Sequence, residues 1–214
     1  METALIIIVN IIGVLPLLYL ISKKTQLERE VFYFVPLICL SFFSSVYELV
    51  FTFFLKFSNV YWFRIYLLLE FVALFYLFNR LFKSRSIITL LYIFFSLYLS
   101  FFIFLFLDWK IEDSLEINSY LSVFSTIFLY LFCILWFRQV FLHFEVDNLF
   151  SSPIFILLCG ELLYFSSTLF LFLMSDYFLT EKKHDFLAFW QLNVVMCMVY
   201  RIFLSVALYK CVKR

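Results

Sequence analysis

SSPIFILLCGELLYFSSTLFLFLM (residues 151–174) and FLAFWQLNVVMCMVYRIFLSVALYK (residues 186–210) are two long apolar runs, and each carries one ionisable residue deep inside it, Glu161 in the first and Arg201 in the second. Each run reaches the roughly 20 residues that a helix needs to cross the hydrocarbon core of a bilayer. At a rise of about 1.5 Å per residue, Glu161 lies roughly 15 Å in from Ser151 and Arg201 roughly 14 Å in from Lys210. In an antiparallel pair of helices the two charges therefore share a depth. An ionised side chain at the centre of a membrane helix costs on the order of 2.5 to 3.5 kcal/mol on insertion scales, so such residues face the bundle and find a partner. Glu161 and Arg201 are accordingly expected to form an ion pair, read either as a structural clasp between two helices or as part of a ligand or proton site.

The rest of the chain repeats the pattern. Of its 214 residues 66% are hydrophobic, and the mean hydropathy is +1.06, well beyond the roughly half-apolar make-up of soluble domains. Further runs of spanning length lie at 3–21, 31–55, 61–82, 87–107 and 117–137. With the two quoted runs they make seven, so the expected fold is an all-α polytopic membrane protein, one seven-helix bundle over residues 1–214. Trp62, Trp109, Trp136 and Trp190 fall near the proposed helix ends, where indole rings favour the interface. The first run has no basic leader and no small-residue cleavage site, and is expected to be a retained span.

Lysines and arginines in alternate connections set the expected orientation. Lys23, Lys24, Arg29, Arg80, Lys83, Arg85, Arg138, Lys210, Lys213 and Arg214 fall on one side, and only Lys56, Lys110, Lys182 and Lys183 on the other. The N-terminus is thus expected outside and the C-terminus in the cytoplasm. A net charge of +1 provides no basic surface for nucleic acid.

Polar residues recur every three or four positions in five of the runs, and residues at that spacing share one helix face. The stripes are Ser41, Ser44, Ser45, Glu48 and Thr52; Thr89, Tyr92, Ser96 and Ser100; Ser119, Ser122, Ser125 and Thr126; Gly160, Glu161, Tyr164, Ser167 and Thr168; and Asn193, Cys197, Arg201 and Ser205. All five are expected to turn inward. Small and hydroxyl residues are ordinary packing material between membrane helices, so the carboxylates Glu48, Glu70 and Glu161 are the informative members. Glu48, Arg64 and Glu70 are expected to gather in the outer half as a ligand or proton site, or as structural pairing. With one arginine for two glutamates, one carboxyl group there is left without a cation. The 34 phenylalanines are expected to be mainly bulk against acyl chains.

Catalytic patterns are missing. A Schiff-base protein would need a lysine inside the last span, and none lies between Lys183 and Lys210. His143 and His184 are the only histidines, both expected in loops on opposite sides, which leaves no metal-ligand set and no base for a serine nucleophile. Gly13 and Gly160, the only glycines, make no phosphate-binding loop. The five cysteines lie in or at the end of spans without a Cys-x-x-Cys pair and read as small apolar residues. Neither enzymatic activity nor a cofactor is expected. Residues 138–150, with Phe141, Leu142, Phe144 and Val146 among His143, Glu145 and Asp147, are expected to lie along the cytoplasmic interface.

Several short stretches resemble an uncharacterised family of seven-pass bacterial inner-membrane proteins often encoded near two-component sensor kinases. They are Leu67-Leu68-Leu69-Glu70-Phe71 running to Arg80-Leu81-Phe82-Lys83, then Ser152-Pro153, Leu163-Tyr164-Phe165-Ser166 and Leu169-Phe170-Leu171-Phe172, with Trp190 and Asn193 opening the last helix. By this resemblance Glu70, Tyr164, Ser166 and Asn193 occupy family-like positions, the last three as polar interior. Glu161 and Arg201 stand where the family pattern has a small residue and an amide. The resemblance implies the bacterial inner membrane and a role linked to signalling. The expected partners are the bilayer, a membrane or cytoplasmic signalling protein, and a small-molecule ligand. Transport through the intramembrane carboxylates is the alternative function.

Overall fold

The structure, a computed structural model, describes residues 2–23, 30–57, 59–107, 114–143, 149–181 and 183–211. Seven long helices follow one another: α1 (Glu2–Ser22), α2 (Val31–Tyr47), α3 (Val60–Leu81), α4 (Arg85–Leu107), α5 (Ser114–His143), α6 (Pro153–Glu181) and α7 (Lys183–Lys210). Six of them, and α2 together with its continuation to Phe54, contain a stretch long and apolar enough to cross a membrane, from Ala4–Ser22 in the first to Trp190–Lys210 in the last. The protein is an all-helical, multi-pass membrane protein. Lipid dictates this outcome, since a helix satisfies its own backbone polar groups where no water is present to do so.

Local sequence sets several boundaries. α6 starts at Ser152-Pro153, where the Ser152 hydroxyl accepts a bond from the Phe155 N–H at 3.4 Å and proline occupies the first helical position, at which its missing N–H costs nothing. α3 stops where Phe82 turns extended (φ −90°, ψ 138°). The end of α2 does not stop but widens into a π-helical segment, Glu48–Phe54, closed by Lys56 in the left-handed region at φ 55°. Wide turns of this kind are rare and gather at functional sites.

Helices α5, α6 and α7 overrun their expected spans. α5 continues to His143 and α7 begins at Lys183, so His143 and His184 belong to helices instead of loops. The anticipated interfacial segment is thus partly the last turn of α5, while Phe144, Glu145, Val146 and Asp147 lie outside the described residues. Trp136, seven residues before the end of α5, is buried in the bundle, and Trp109 lies outside the described residues.

Six helices neighbour one another in the order α1, α2, α3, α5, α6, α7 and back to α1, and α4 packs outside against α3 and α5. That position corrects one stripe: Leu91 and Tyr98 are the buried side of α4, while Thr89, Tyr92, Ser96 and Ser100 are exposed. The Thr89 hydroxyl needs no partner helix, since it donates to its own Arg85 carbonyl at 3.0 Å. The stripes of α2, α5, α6 and α7 face inward as expected.

Phenylalanine is core as well as lipid-facing bulk. Phe71 and Phe78 of α3, and Phe82 just past its end, meet Phe128 and Phe132 of α5, with ring centroids 4.7 Å apart for Phe71–Phe128 and 5.6 Å for Phe78–Phe132. Tyr98 of α4 stacks on Phe71 at 3.7 Å. Such contacts hold membrane helices together through close packing, because lipid supplies no hydrophobic drive between helices. On the other side of the ring, Gly160 lets α6 approach α7: a Cβ there would lie 2.5 Å from the Phe203 Cβ.

Candidate functional site

A cavity of about 260 Å³ lies among α1, α2, α3, α5, α6 and α7, toward the end of the bundle where α1 begins. Glu48, Asn10, Tyr66, Tyr164, Asn193 and Arg201 are among its walls, with Trp62 and Cys197. It gathers one residue from each of two groups that the sequence kept apart, Glu48 from the outer cluster and Arg201 from the supposed clasp.

Arg201 is 4% exposed. Its Nη1 donates to the Val9 carbonyl at 2.7 Å and to Asn10 Oδ1 at 3.1 Å, and Asn10 Nδ2 donates in turn to the Ile6 carbonyl at 3.0 Å. Gly13 opens this route: it sits one turn beyond Val9, and a Cβ on it would fall 2.8 Å from Nη1. The same glycine lets α2 close in, where the Ser41 hydroxyl donates to the Gly13 carbonyl at 3.3 Å.

The expected pair of Glu161 and Arg201 is therefore not formed. Arg201 turns toward α1 and the cavity, whereas both carboxyl oxygens of Glu161 are buried with no hydrogen-bond partner among the described residues. The polar neighbour of Glu161 is the Tyr200 hydroxyl, which approaches the carboxyl group without the geometry of a full hydrogen bond. Equal depth on two helices fixes height along the axis but not direction around it, and these side chains leave their helices in different directions.

The expected group of Glu48, Arg64 and Glu70 is also dispersed. Arg64 Nε reaches across to Asn118 Oδ1 on α5 at 3.3 Å. Glu70 Oε1 accepts the Tyr66 hydroxyl at 2.9 Å, one turn away on its own helix, so Tyr66 stands between Glu70 and the cavity. Glu48 alone of the three lines it. Among the described residues Glu48 makes no ion pair or hydrogen bond through its side chain. It opens the π-helical segment, which is tied to the start of α3 by a Thr52–Asn59 side-chain hydrogen bond.

Of the polar interior inferred by resemblance, Tyr164 and Asn193 line the cavity, and Tyr164 stacks on Tyr200 with centroids 5.4 Å apart. The Asn193 Oδ1 is buried without a partner among the described residues. Ser166 is not interior: it is exposed between α5 and α6, 2.6 Å from the Tyr130 hydroxyl, and bonds its own Leu162 carbonyl. Asn10, Tyr66 and Asn118 were missed. Asn10 carried a readable signal, a lone amide in the middle of the apolar run of α1.

Beyond Arg201 and Ser41 the buried side chains that α2 and α7 turn inward are apolar. Leu204, Ala207 and Leu208 on α7, and Phe34, Leu37 and Ile38 on α2, are almost wholly buried. The arrangement can hold a polar ligand in the half of the bundle nearer the start of α1, with a cation at one wall and a carboxylate at another. No family model, curated protein or solved structure matches the chain.

Proposed function

We propose that the protein is a membrane-embedded binding protein acting as a sensory or signalling accessory, with the cavity between Glu48 and Arg201 as its ligand site. The observation that carries this reading is that a buried guanidinium and a carboxylate open on one cavity without pairing. Charges inside a membrane protein are costly unless compensated, and they mark functional sites by default. A bound polar molecule compensates both. The apolar side chains beyond Arg201 favour binding from one side over a through-path. In this reading the protein lies in a bacterial inner membrane with the start of α1 outside, so that the cavity opens away from the cytoplasm. The opposite face, with Arg80, Lys83 and Arg85, is the surface for anionic lipid or a signalling partner.

Native mass spectrometry of the protein extracted gently from its own membranes tests this. A small molecule or a partner protein at fixed stoichiometry is expected, and a preparation carrying neither overturns the reading.

A second reading, proton- or ion-coupled transport, rests on the acidic groups behind the cavity. Tyr66 lines the cavity and donates to Glu70, and a second carboxyl group, Glu161, is buried in the same bundle. Flux into proteoliposomes that depends on Glu70 would replace the receptor reading; its absence across a broad solute panel counts against transport.

A further inference from the structure

We infer that the cavity takes a small zwitterion, a molecule with a carboxylate or phosphate at one end and an ammonium group at the other. This inference rests on the reading of the cavity as a ligand site and deepens it. Arg201 spends Nη1 on two neutral acceptors, Val9 O and Asn10 Oδ1. No carboxylate among the described residues pairs with it, so the rest of its planar fork remains for an anionic group, the geometry that guanidinium recognises best.

Glu48 lies higher on the wall. Ser45 marks the level of Gly13 and Arg201, and Glu48 is three residues further along α2, roughly 4.5 Å toward the end where α1 begins. Glu48 and Arg201 both line this cavity, with Cys197 between their helices' walls, so the two charges face a shared space, and no ion pair joins them among the described residues. Trp62, stacked on Tyr47 at 4.5 Å, also lines the cavity, and an indole ring there suits an ammonium group.

Charge complementarity selects among ligands. A simple anion would satisfy Arg201 but leave Glu48 uncompensated and repelled, and a simple cation would do the reverse. A zwitterion lying from Arg201 to Glu48 compensates both at once, and like-charge juxtaposition rejects the single-charge molecules. The volume of about 260 Å³ suits a small metabolite or a lipid headgroup, being below the roughly 300–1,000 Å³ of drug-sized pockets. Two sources share this chemistry: a free amino-acid-like molecule, or the phosphoethanolamine or phosphocholine headgroup of a lipid.

The test uses the full chain in nanodiscs of phosphatidylglycerol alone, titrated calorimetrically with ω-amino acids from glycine to 6-aminohexanoate, and with butyrate and butylamine as single-charge controls. For a free ligand, one chain length is expected to bind at least about tenfold tighter than either control. Glu48→Gln should remove that preference without weakening butyrate. For a lipid source, no free zwitterion binds, and one phosphatidylethanolamine per protein survives native mass spectrometry after incubation in mixed lipid, lost in Glu48→Gln. Butyrate binding as tightly as every ω-amino acid overturns the zwitterion while leaving a ligand site in place. Retention of a molecule lacking either charge does the same. No binding by any probe, with no retained molecule, overturns both inferences, and the wild-type titration decides even where the variant fails to fold.

Discussion

Gly13 of α1 lies against the Arg201 guanidinium of α7, where a Cβ would stand 2.8 Å from Nη1 and 2.9 Å from Cζ and would overlap the Ser45 hydroxyl. Both obstructions are side-chain ends, which can shift, so the substitution should disturb the site more than the fold. Gly13→Ala is expected to cost about 1–3 kcal/mol as overpacking and to abolish retention of any bound molecule. Denaturant unfolding in detergent beside native mass spectrometry measures the two effects. Unchanged retention would show that Arg201 does not need its place against Gly13.

Tyr98 separates packing from hydrogen bonding. Its ring stacks on Phe71 at 3.7 Å and its hydroxyl donates to the Leu67 carbonyl at 3.2 Å. Tyr98→Phe keeps the stack and is expected to cost about 0.5–1.5 kcal/mol, whereas Tyr98→Ala, which empties the space between α3, α4 and α5, should cost about 3–5 kcal/mol. Thermal unfolding of the two variants in one detergent ranks them. Equal losses would mean that the ring contributes little.

Gly160 provides a contrast with Gly13, because a Cβ on it would meet the root of a neighbouring side chain, 2.5 Å from Phe203 Cβ. That atom moves only with the backbone of α7. Gly160→Ala is therefore expected to push α6 and α7 apart and lose about 1–3 kcal/mol or more, visible as a lowered unfolding midpoint. Gly160→Ala combined with Phe203→Ala should not recover the loss, since Cβ is retained; recovery would indicate that the outer ring atoms are the obstruction.

The seven spans were legible because a bilayer imposes a length of about 20 apolar residues on each crossing. The inward stripes of α2, α5, α6 and α7 were legible from helical spacing. What spacing cannot supply is the neighbour. The stripe of α4 has the same pattern yet faces out, because α4 stands outside the ring; a hydroxyl can bond its own helix on either face, as Thr89 does outside and Thr126 inside. Counting along the axes put Glu161 level with Arg201, but rotation decided that Arg201 would take Val9 and Asn10 of α1, a helix given no role in the site from sequence. Asn10 and Gly13 held that information, the one polar and the other smallest residue of an apolar run.

The pairing itself is decided by a double-mutant cycle. If Glu161 and Arg201 formed a clasp, either single change would be costly and the double change would recover part of the loss. In the structure Glu161 has neither a cation nor a hydrogen-bond donor of good geometry among the described residues, so Glu161→Gln gives up only the approach of the Tyr200 hydroxyl, which an amide oxygen can also accept, and relieves a buried carboxyl group. It is expected to leave stability within about 1 kcal/mol of the parent, or to raise it. Arg201→Leu strips the donor from Val9 O and Asn10 Oδ1 and should cost about 1–3 kcal/mol. The double variant is expected to show the sum of the two within about 0.5 kcal/mol, as for residues without a shared contact. A coupling well above that would restore the clasp and take from Arg201 the free face on which ligand binding depends.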